Sequence, residues 1–269
     1  MLSAGIQTAA NGMQALLDQN DAVAHNLANV NTVGYKKASL TFKSLYDAKV
    51  EQSTNNNDPK NQNYQYVGNL SLGAVTDRSV ISFSQGTLQR TDNTYDLAID
   101  GDGFFKTQDP NGKISYTRNG QFTIDSNKRL TTLDGDTVLD VKNKPIKIDL
   151  QAMNATAKDV SIREKGEVVV SNPQVQATLQ QIAIVDFSDK TNMMSLGNAR
   201  FAPTNPNQNP ELKADKYNIQ QGALELSNSS TVNEMINSIN VSRNYETLSK
   251  FVKEDAALIG TAINLGRLR

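Results

Sequence analysis

Apolar residues near the start of the chain recur at alternating steps of four and three: Leu2, Ile6, Ala9, Met13, Leu16, Asn20, Val23 and Leu27. That spacing is the seam of a helix packing against other helices, and Asn20 is the kind of polar seam residue that fixes register. It predicts a helix from about Leu2 to Ala28, ended by the turn chemistry of Asn29, Asn31, Thr32 and Gly34. Near the other end Val241, Tyr245, Leu248, Val252, Ala256, Ile259 and Ile263 form a second seam. It lies in a helix predicted from about Val232 to Leu265, some ~50 Å long at about 1.5 Å per residue, and Thr231-Val232-Asn233-Glu234 gives its start the form of a capping box.

This second helix carries more than one stripe. Val232, Met235, Ile236 and Ile239 share a face, but at ~100° per residue the seam from Val241 onward lies about half a turn around. The stripe changes sides near Asn240, and Phe251, Leu258, Ala262 and Leu265 add a secondary face. A helix serving only the chain's own N-terminal helix needs one stripe. This one is expected to meet several helices, some of them from other subunits.

Between the helices the pattern shortens to strands and turns. Tyr35, Leu40, Phe42, Leu45 and Tyr46 make a small apolar and aromatic cluster, after which 51–69 is almost all polar. With so few apolar side chains to offset the entropy of ordering, that stretch reads as a linker or extended arm. Strands are predicted at Val75 to Phe83, Leu97 to Ile99, from Phe104, at Ile114 to Arg118, Gln121 to Ile124, Arg129 to Leu133, Val138 to Val141, Ile146 to Ile148, Val160 to Ile162, Glu167 to Val170 and Thr178 to Asp186. Turns such as Asp109-Pro110-Asn111-Gly112 and Asn119-Gly120 separate them, and strands so short and so spaced mean a meander or small barrel. Pro203 to Lys216 reads as a loop over the outside of this body, and Tyr217 to Leu226 as an extended return.

The expected fold is therefore α+β: long N- and C-terminal helices pairing as a coiled-coil module, with an all-β middle domain. Residues 1–45 with 227–269 would form the helical module, 46–74 an extended polar arm or linker, and 75–226 the β-rich outer domain.

Composition narrows the chemistry. At 269 residues a core needs no staples, and 27 basic against 28 acidic residues give a net charge of −1. Neither nucleic acid nor an anionic membrane is suggested as a partner. Cysteine is absent, which excludes disulfides, thiolate metal sites and cysteine nucleophiles. There is one histidine and no tryptophan, and the mean hydropathy is −0.49. No run approaches the roughly 20 apolar residues of a bilayer span, and the N-terminus has no secretory-signal pattern.

The candidate chemical motifs have plain explanations. Asp100-Gly101-Asp102-Gly103 would place Ala98 first and Asp109 last in a calcium loop, so a strand-to-strand turn is expected. Gly101 and Gly103 lack the third glycine and the helix of a dinucleotide site. His25 stands off the seam as a surface or capping residue, and Arg243 and Glu246 are spaced for an ordinary helical ion pair. No catalytic, cofactor-binding or metal-binding residue is assigned. The sequence reads as an assembly or interaction protein.

Several blocks carry a family likeness. Asn26-Leu27-Ala28-Asn29-Val30-Asn31-Thr32-Val33-Gly34-Tyr35-Lys36 resembles the N-terminal signature of the flagellar axial proteins, the rod and hook subunits of bacterial flagella, roughly NLANxxTxGYK. Gln85-Gly86-Thr87-Leu88, Asp96-Leu97-Ala98-Ile99-x-Gly101-x-Gly103-Phe104-Phe105 and Tyr116-Thr117-Arg118-Asn119-Gly120 agree with the same family. So do Gln221-Gly222-Ala223-Leu224-Glu225-x-Ser227-Asn228, Glu234-Met235 and Arg243-x-Tyr245-Glu246. Length and a single β body are similar to rod subunits of the FlgF/FlgG class, and the long arm to the distal-rod subunits. One departure stands out: the family commonly has valine after its Ser-Asn pair, where this chain has Ser229.

The resemblance implies a structural rod subunit, exported by the flagellar type III apparatus without cleavage and polymerising helically with its terminal helices innermost. Its implied partners are further copies of itself, other rod and hook proteins, the export apparatus and the L- and P-ring bushing. No cofactor and no membrane insertion are implied. The assembly interface would use Leu2, Ile6, Met13, Leu16, Val23, Leu27, Val232, Met235, Ile239, Val241, Tyr245, Leu248, Val252, Ile259 and Ile263. The rival readings are a proximal-rod or hook-type subunit, a peptidoglycan-cleaving rod-associated enzyme, and a cytosolic export adaptor.

Overall fold

Two long helices form where the seams predict them: α1, Leu2–Ala28, and α2, Thr231–Arg267. The structure, a computed structural model, describes residues 2–45, 47–53, 64–71, 73–172 and 176–267. α1 is rich in alanine and free of proline, which favours the helix intrinsically. α2 runs 37 residues, about 55 Å at about 1.5 Å per residue. Thr231, expected as its capping residue, is already helical. Glu234 lies in the first turn, where a negative charge suits the positive end of the helix dipole.

The chain divides into two compact units, one of Met1–His25, Ser39–Val80 and Val232–Arg269, the other of Asn26–Ala38 and Ile81–Thr231. In the first, four strands join the helices: β1 (Ala38–Ser44), β2 (Asp47–Ser53), β3 (Tyr64–Ser71) and β4 (Ala74–Ile81). β1 pairs with β4, and β2 with β3 as an antiparallel hairpin running from Asp47 opposite Ser71 to Ser53 opposite Tyr64. Part of the polar arm is therefore paired backbone; its residues 54–63 lie outside the described residues. The Thr41 hydroxyl donates to the Arg78 carbonyl at 3.1 Å, and Lys43 meets Asp77 at 2.9 Å, so side chains reinforce the β1–β4 pair. Thr76 of β4 donates to Asp18 of α1 at 2.7 Å.

The second unit holds the remaining strands: β5 (Leu88–Arg90), β6 (Leu97–Gly101), β7 (Phe104–Gln108), β8 (Ile114–Thr117), β9 (Phe122–Ile124), β10 (Leu130–Thr132), β11 (Thr137–Val138), β12 (Val160–Ile162), β13 (Glu167–Ser171), β14 (Gln176–Gln181), β15 (Ile184–Asp186), β16 (Met193–Gly197), β17 (Arg200–Pro203), β18 (Leu212–Lys213), β19 (Tyr217–Gln221) and β20 (Ala223–Glu225). The main sheet has the order β16-β17-β8-β7-β11-β10-β9, with β15 and β18 attached through β7. β7–β8 and β9–β10–β11 meander as expected, but β11 returns to β7 and β17 reaches β8, so the sheet is not a simple meander. β12-β13-β14 form a second sheet, and β6 pairs with β19 and β5 with β20.

Several predicted elements change form. The run Thr178 to Asp186 splits into β14 and β15 around the buried Ile182 and Ala183. Ile146 and Ile148 enter the core without forming a strand, tied by backbone bonds to Leu130 and Lys128. The Pro203 to Lys216 segment is pinned rather than merely draped: Glu211 accepts from Lys106 at 2.6 Å and from the Tyr116 hydroxyl, and buried Asn209 donates to the Asp189 carbonyl.

Strand alternation builds two cores from neighbouring residues. Phe105 packs edge-on against Phe122 at 5.1 Å, in a cluster with Leu97, Ile99, Leu130, Val168 and Ile182. Phe104 points to the other face, where Phe83, Phe187 and Phe201 surround it. Successive side chains of a strand face opposite ways, so one Phe-Phe pair seeds both cores.

Candidate functional site

The likeness-bearing blocks that lie in the second unit, scattered along the sequence, converge on one buried carboxylate; those at Glu234 and at Arg243 to Glu246 lie on α2 in the first unit. Glu225 ends β20, which pairs with β5 in the register Glu225 opposite Leu88. Its Oε1 accepts from the Lys36 ammonium at 2.6 Å and from the Gly86 amide at 2.8 Å. Oε2 accepts from Arg118 Nη1 at 3.1 Å, and the main-chain carbonyl of Glu225 accepts from the Gly34 amide at 2.7 Å. Neither Lys36 nor Glu225 exposes any of its side chain.

Each donor is held in turn. Lys36 also donates to the Ser84 carbonyl at 2.8 Å, and Arg118 Nη2 to the Gly101 carbonyl at 2.8 Å. The Arg118 guanidinium lies 5.3 Å from the centre of the Phe104 ring, a cation–π arrangement. Gly34 has a φ of +69°, and a Cβ there would collide with the Asn119 backbone, so no other residue fits. Burial pulls the Lys36 ammonium below its ordinary pKa, with Arg118 acting in the same direction and Glu225 opposing it.

Further motif residues are tied around this centre or in the turn that leads to it, whereas Arg243, Tyr245 and Glu246 lie on α2 in the first unit. Asn26, buried at the end of α1, accepts from the Tyr35 hydroxyl and the Ala38 amide and donates to the Ala38 carbonyl. Asn29 accepts from the Thr32 hydroxyl, closing the turn after Ala28. Asn228 accepts from the Lys37 amide at 2.8 Å and donates to the Ser82 and Ser84 carbonyls. The Ser227 hydroxyl accepts from the Ser229 amide, while the buried Ser229 hydroxyl has no hydrogen-bond partner. Gly101 and Gly103 form the β6–β7 turn, as expected.

Sequence reasoning named Asn26, Gly34 and Asn228 but not their centre. Lys36, Arg118 and Glu225 stood inside the quoted blocks as ordinary charged residues. A local signal marks only Glu225, set between Leu224 and Leu226, where a charge is buried only if paired; Lys36 and Arg118 have polar or charged neighbours and carry none.

The helices of the first unit hold the predicted assembly residues. On α1, Ala9 and Val23 are buried, and Ile6, Met13, Leu16, Asn20 and Leu27 are partly covered. On α2, Val241 is buried and Tyr245, Leu248, Val252 and Ile259 are partly covered. The side chains of Leu2 and Ile263 lie outside the described residues. The two helices meet at Gly12, where a Cβ would touch Leu248 at 3.4 Å, and at Asn20, which accepts from the Ser238 hydroxyl at 3.5 Å. An open groove of about 540 Å³ runs beside this contact, lined by Ala15, Leu16, Phe42, Ala74 and Leu248 among others.

The other stripe of α2 stands in the open. Val232, Met235, Ile236 and Ile239 are 65 %, 51 %, 51 % and 52 % exposed, and Phe251 and Leu258 are exposed as well. Arg243 and Glu246 are both exposed and form no ion pair among the described residues; a solvated pair of this kind gains too little to hold two long side chains together.

Chemically the buried centre holds rather than transfers. Its carboxylate oxygens are all engaged by donors, and among the described residues no group of His, Cys, Asp or Glu is arranged to hold a metal ion. Nor is any described helix long and apolar enough to cross a membrane.

Three family descriptions match the chain: "Flagella basal body rod protein" over residues 6–36, "Flagellar hook protein FlgE/F/G D1 domain" over 98–170, and "Flagellar basal body rod FlgEFG protein C-terminal" over 220–265. Among curated proteins, the chain is similar to the flagellar basal-body rod protein FlgG of Borreliella burgdorferi, 34 % identical with 97 % of each chain covered. It is similar to FlgG of Agrobacterium fabrum at 31 % identity, covering 91 % of this chain and 92 % of the relative. It is also similar to the rod protein FlgF of Mesorhizobium japonicum at 28 %, covering 96 % and 95 %. The first matched segment ends at Lys36, the second contains Arg118 and the third contains Glu225, so each matched region supplies a charged residue of the buried centre. The chain belongs to the flagellar basal-body rod protein family.

Proposed function

We propose that this chain is a structural subunit of the distal flagellar rod, polymerising helically through its terminal helices into the torque-transmitting shaft. The observation that carries this reading is the exposed apolar stripe of Val232, Met235, Ile236 and Ile239, on a helix whose other seam is only partly covered beyond Val241. Exposed apolar side chains repeated along one helix face mark a docking surface, and a head-to-tail contact that does not close a ring generates a filament. In this reading the terminal helices pair as a coiled-coil module with partners from neighbouring copies, the β body lies outside it, and the hairpin of β2 and β3 is an arm at the subunit boundary.

The subunit works in the basal body, alongside other rod and hook proteins. It reaches the rod through the flagellar export apparatus and turns within the ring bushing, as the family likeness implies. Relatives named both FlgG and FlgF support a rod subunit; the long arm favours the distal segment. A basal-body image with this subunit labelled tests the assignment. Label along the distal rod is expected; label confined to the proximal rod or the hook would contradict the distal reading, and label absent from the axial structure would contradict the function.

A further inference from the structure

The Glu225 centre lies where both terminal helices are rooted. Equal stretches of chain separate Ala28, the end of α1, from Gly34, and Glu225 from Thr231, the start of α2. Gly34 and Lys36 belong to the root of α1; Glu225 and Asn228 belong to the root of α2. Glu225 receives both of the former, through its main-chain carbonyl and its Oε1, and Asn228 receives the Lys37 amide beside them. The Oε2 atom is held by Arg118, which is anchored to Gly101 and stacked on Phe104 of the core.

We propose that Glu225 is a positioning residue that clamps the two helix roots to each other and to the β body, so that a disturbance at one root is transmitted to the other. The physical basis is exclusivity. Removing one partner of a buried, hydrogen-bonded charge leaves the others without compensation, so the remaining groups must rearrange together. If Lys36 loses its ammonium, the Glu225 carboxylate keeps only Arg118 and the Gly86 amide. The carboxylate then moves toward Arg118 or admits water, and in both cases the end of β20 shifts.

For the shaft proposed above, such a clamp would give every subunit the same spacing between its two helices, which a regular helical lattice requires. The clamp itself is tested on the purified monomer, so its failure is distinguishable from failure of the rod assignment.

The experiment is site-resolved amide hydrogen exchange on the full chain and on Lys36→Met, a change confined to the root of α1. The informative amides lie at the opposite root: Leu226, bonded to the Thr87 carbonyl, and Ser229, bonded to the Ser227 hydroxyl. Exchange there is expected to quicken at least tenfold, while amides of β7 and β8 keep their protection. Unchanged exchange at Leu226 and Ser229, with Gly34 and Lys37 alone affected, would overturn the clamp. Should Lys36→Met fail to fold, Lys36→Arg keeps the charge in a different shape; the same coupled response of both roots is expected, and a response confined to Gly34 and Lys37 overturns the proposal.

Discussion

Lys36 and Glu225 meet at 2.6 Å, fully buried, although 189 residues of chain separate them. A buried pair of this kind contributes little net stability compared with well-packed apolar residues, but losing one partner leaves an uncompensated charge. Glu225→Ala is therefore expected to destabilise the second unit by about 3–5 kcal/mol. Chemical denaturation followed by the near-ultraviolet tyrosine signal would measure it. A loss under about 1 kcal/mol, the range of exposed pairs, would contradict the burial.

Gly34 is held by conformation and by space, since its φ is positive and a Cβ would strike the Asn119 backbone. Gly34→Ala is expected to cost at least about 2 kcal/mol, because neither backbone can yield cheaply. Gly135 has a similar φ but open surroundings, so Gly135→Ala is the control and is expected to cost less. Equal losses at the two positions would show that close packing at Gly34 contributes nothing.

Ser229 stands where the family commonly has valine, and its buried hydroxyl has no partner. A buried hydroxyl without a hydrogen bond costs about 1–3 kcal/mol. Ser229→Ala removes the hydroxyl without adding volume and is expected to raise stability by about 1 kcal/mol. A fall in melting temperature would mean that the hydroxyl is hydrogen-bonded in solution.

Acid is expected to weaken the second unit. Hydrogen bonds from Thr191 hold Asp189 below the usual carboxylate pKa, the Arg129 amide does the same for Asp125, and Lys190 for Asp102. Lowered folded-state values mean that the unfolded chain binds more protons. These groups stabilise fully above the ordinary value of 3.8 and lose that contribution as pH falls through their folded values. The urea midpoint is thus expected to hold between pH 5 and 7 and to drop below about pH 4. A midpoint unchanged down to pH 3 would contradict the assignment.

The helices were legible in the sequence because their signal is local. The α1 seam gives Leu2 to Ala28, the bounds observed, and the change of side near Asn240 appears as a seam buried at Val241 and partly covered at Tyr245, Leu248, Val252 and Ile259, with an exposed stripe before it. Strands between strong turns, such as β7, β8 and β12, were legible for the same reason. Strands without that local signal were not: β16 and β17 run from Met193 to Pro203 with no clear alternation, and β2 and β3 flank a polar stretch that reads as a linker. The buried centre was hidden most completely. Its residues are charged, their partners lie 189 and 107 positions away, and only the folded chain shows that the separate blocks share one carboxylate.

The structure also separates two kinds of apolar position on α2. Leu248 lies against α1 within the chain, so a charge there would disturb the monomer as well as any assembly. Met235 and Ile239 are exposed and offer the cleaner probe. The most direct measurement is rod assembly in cells whose only copy carries Met235→Asp and Ile239→Asp, with the purified variant checked for unchanged monomer stability. A folded monomer that builds no rod and leaves the cells non-motile is the expected result; normal rods and motile cells would contradict assembly through the terminal helices.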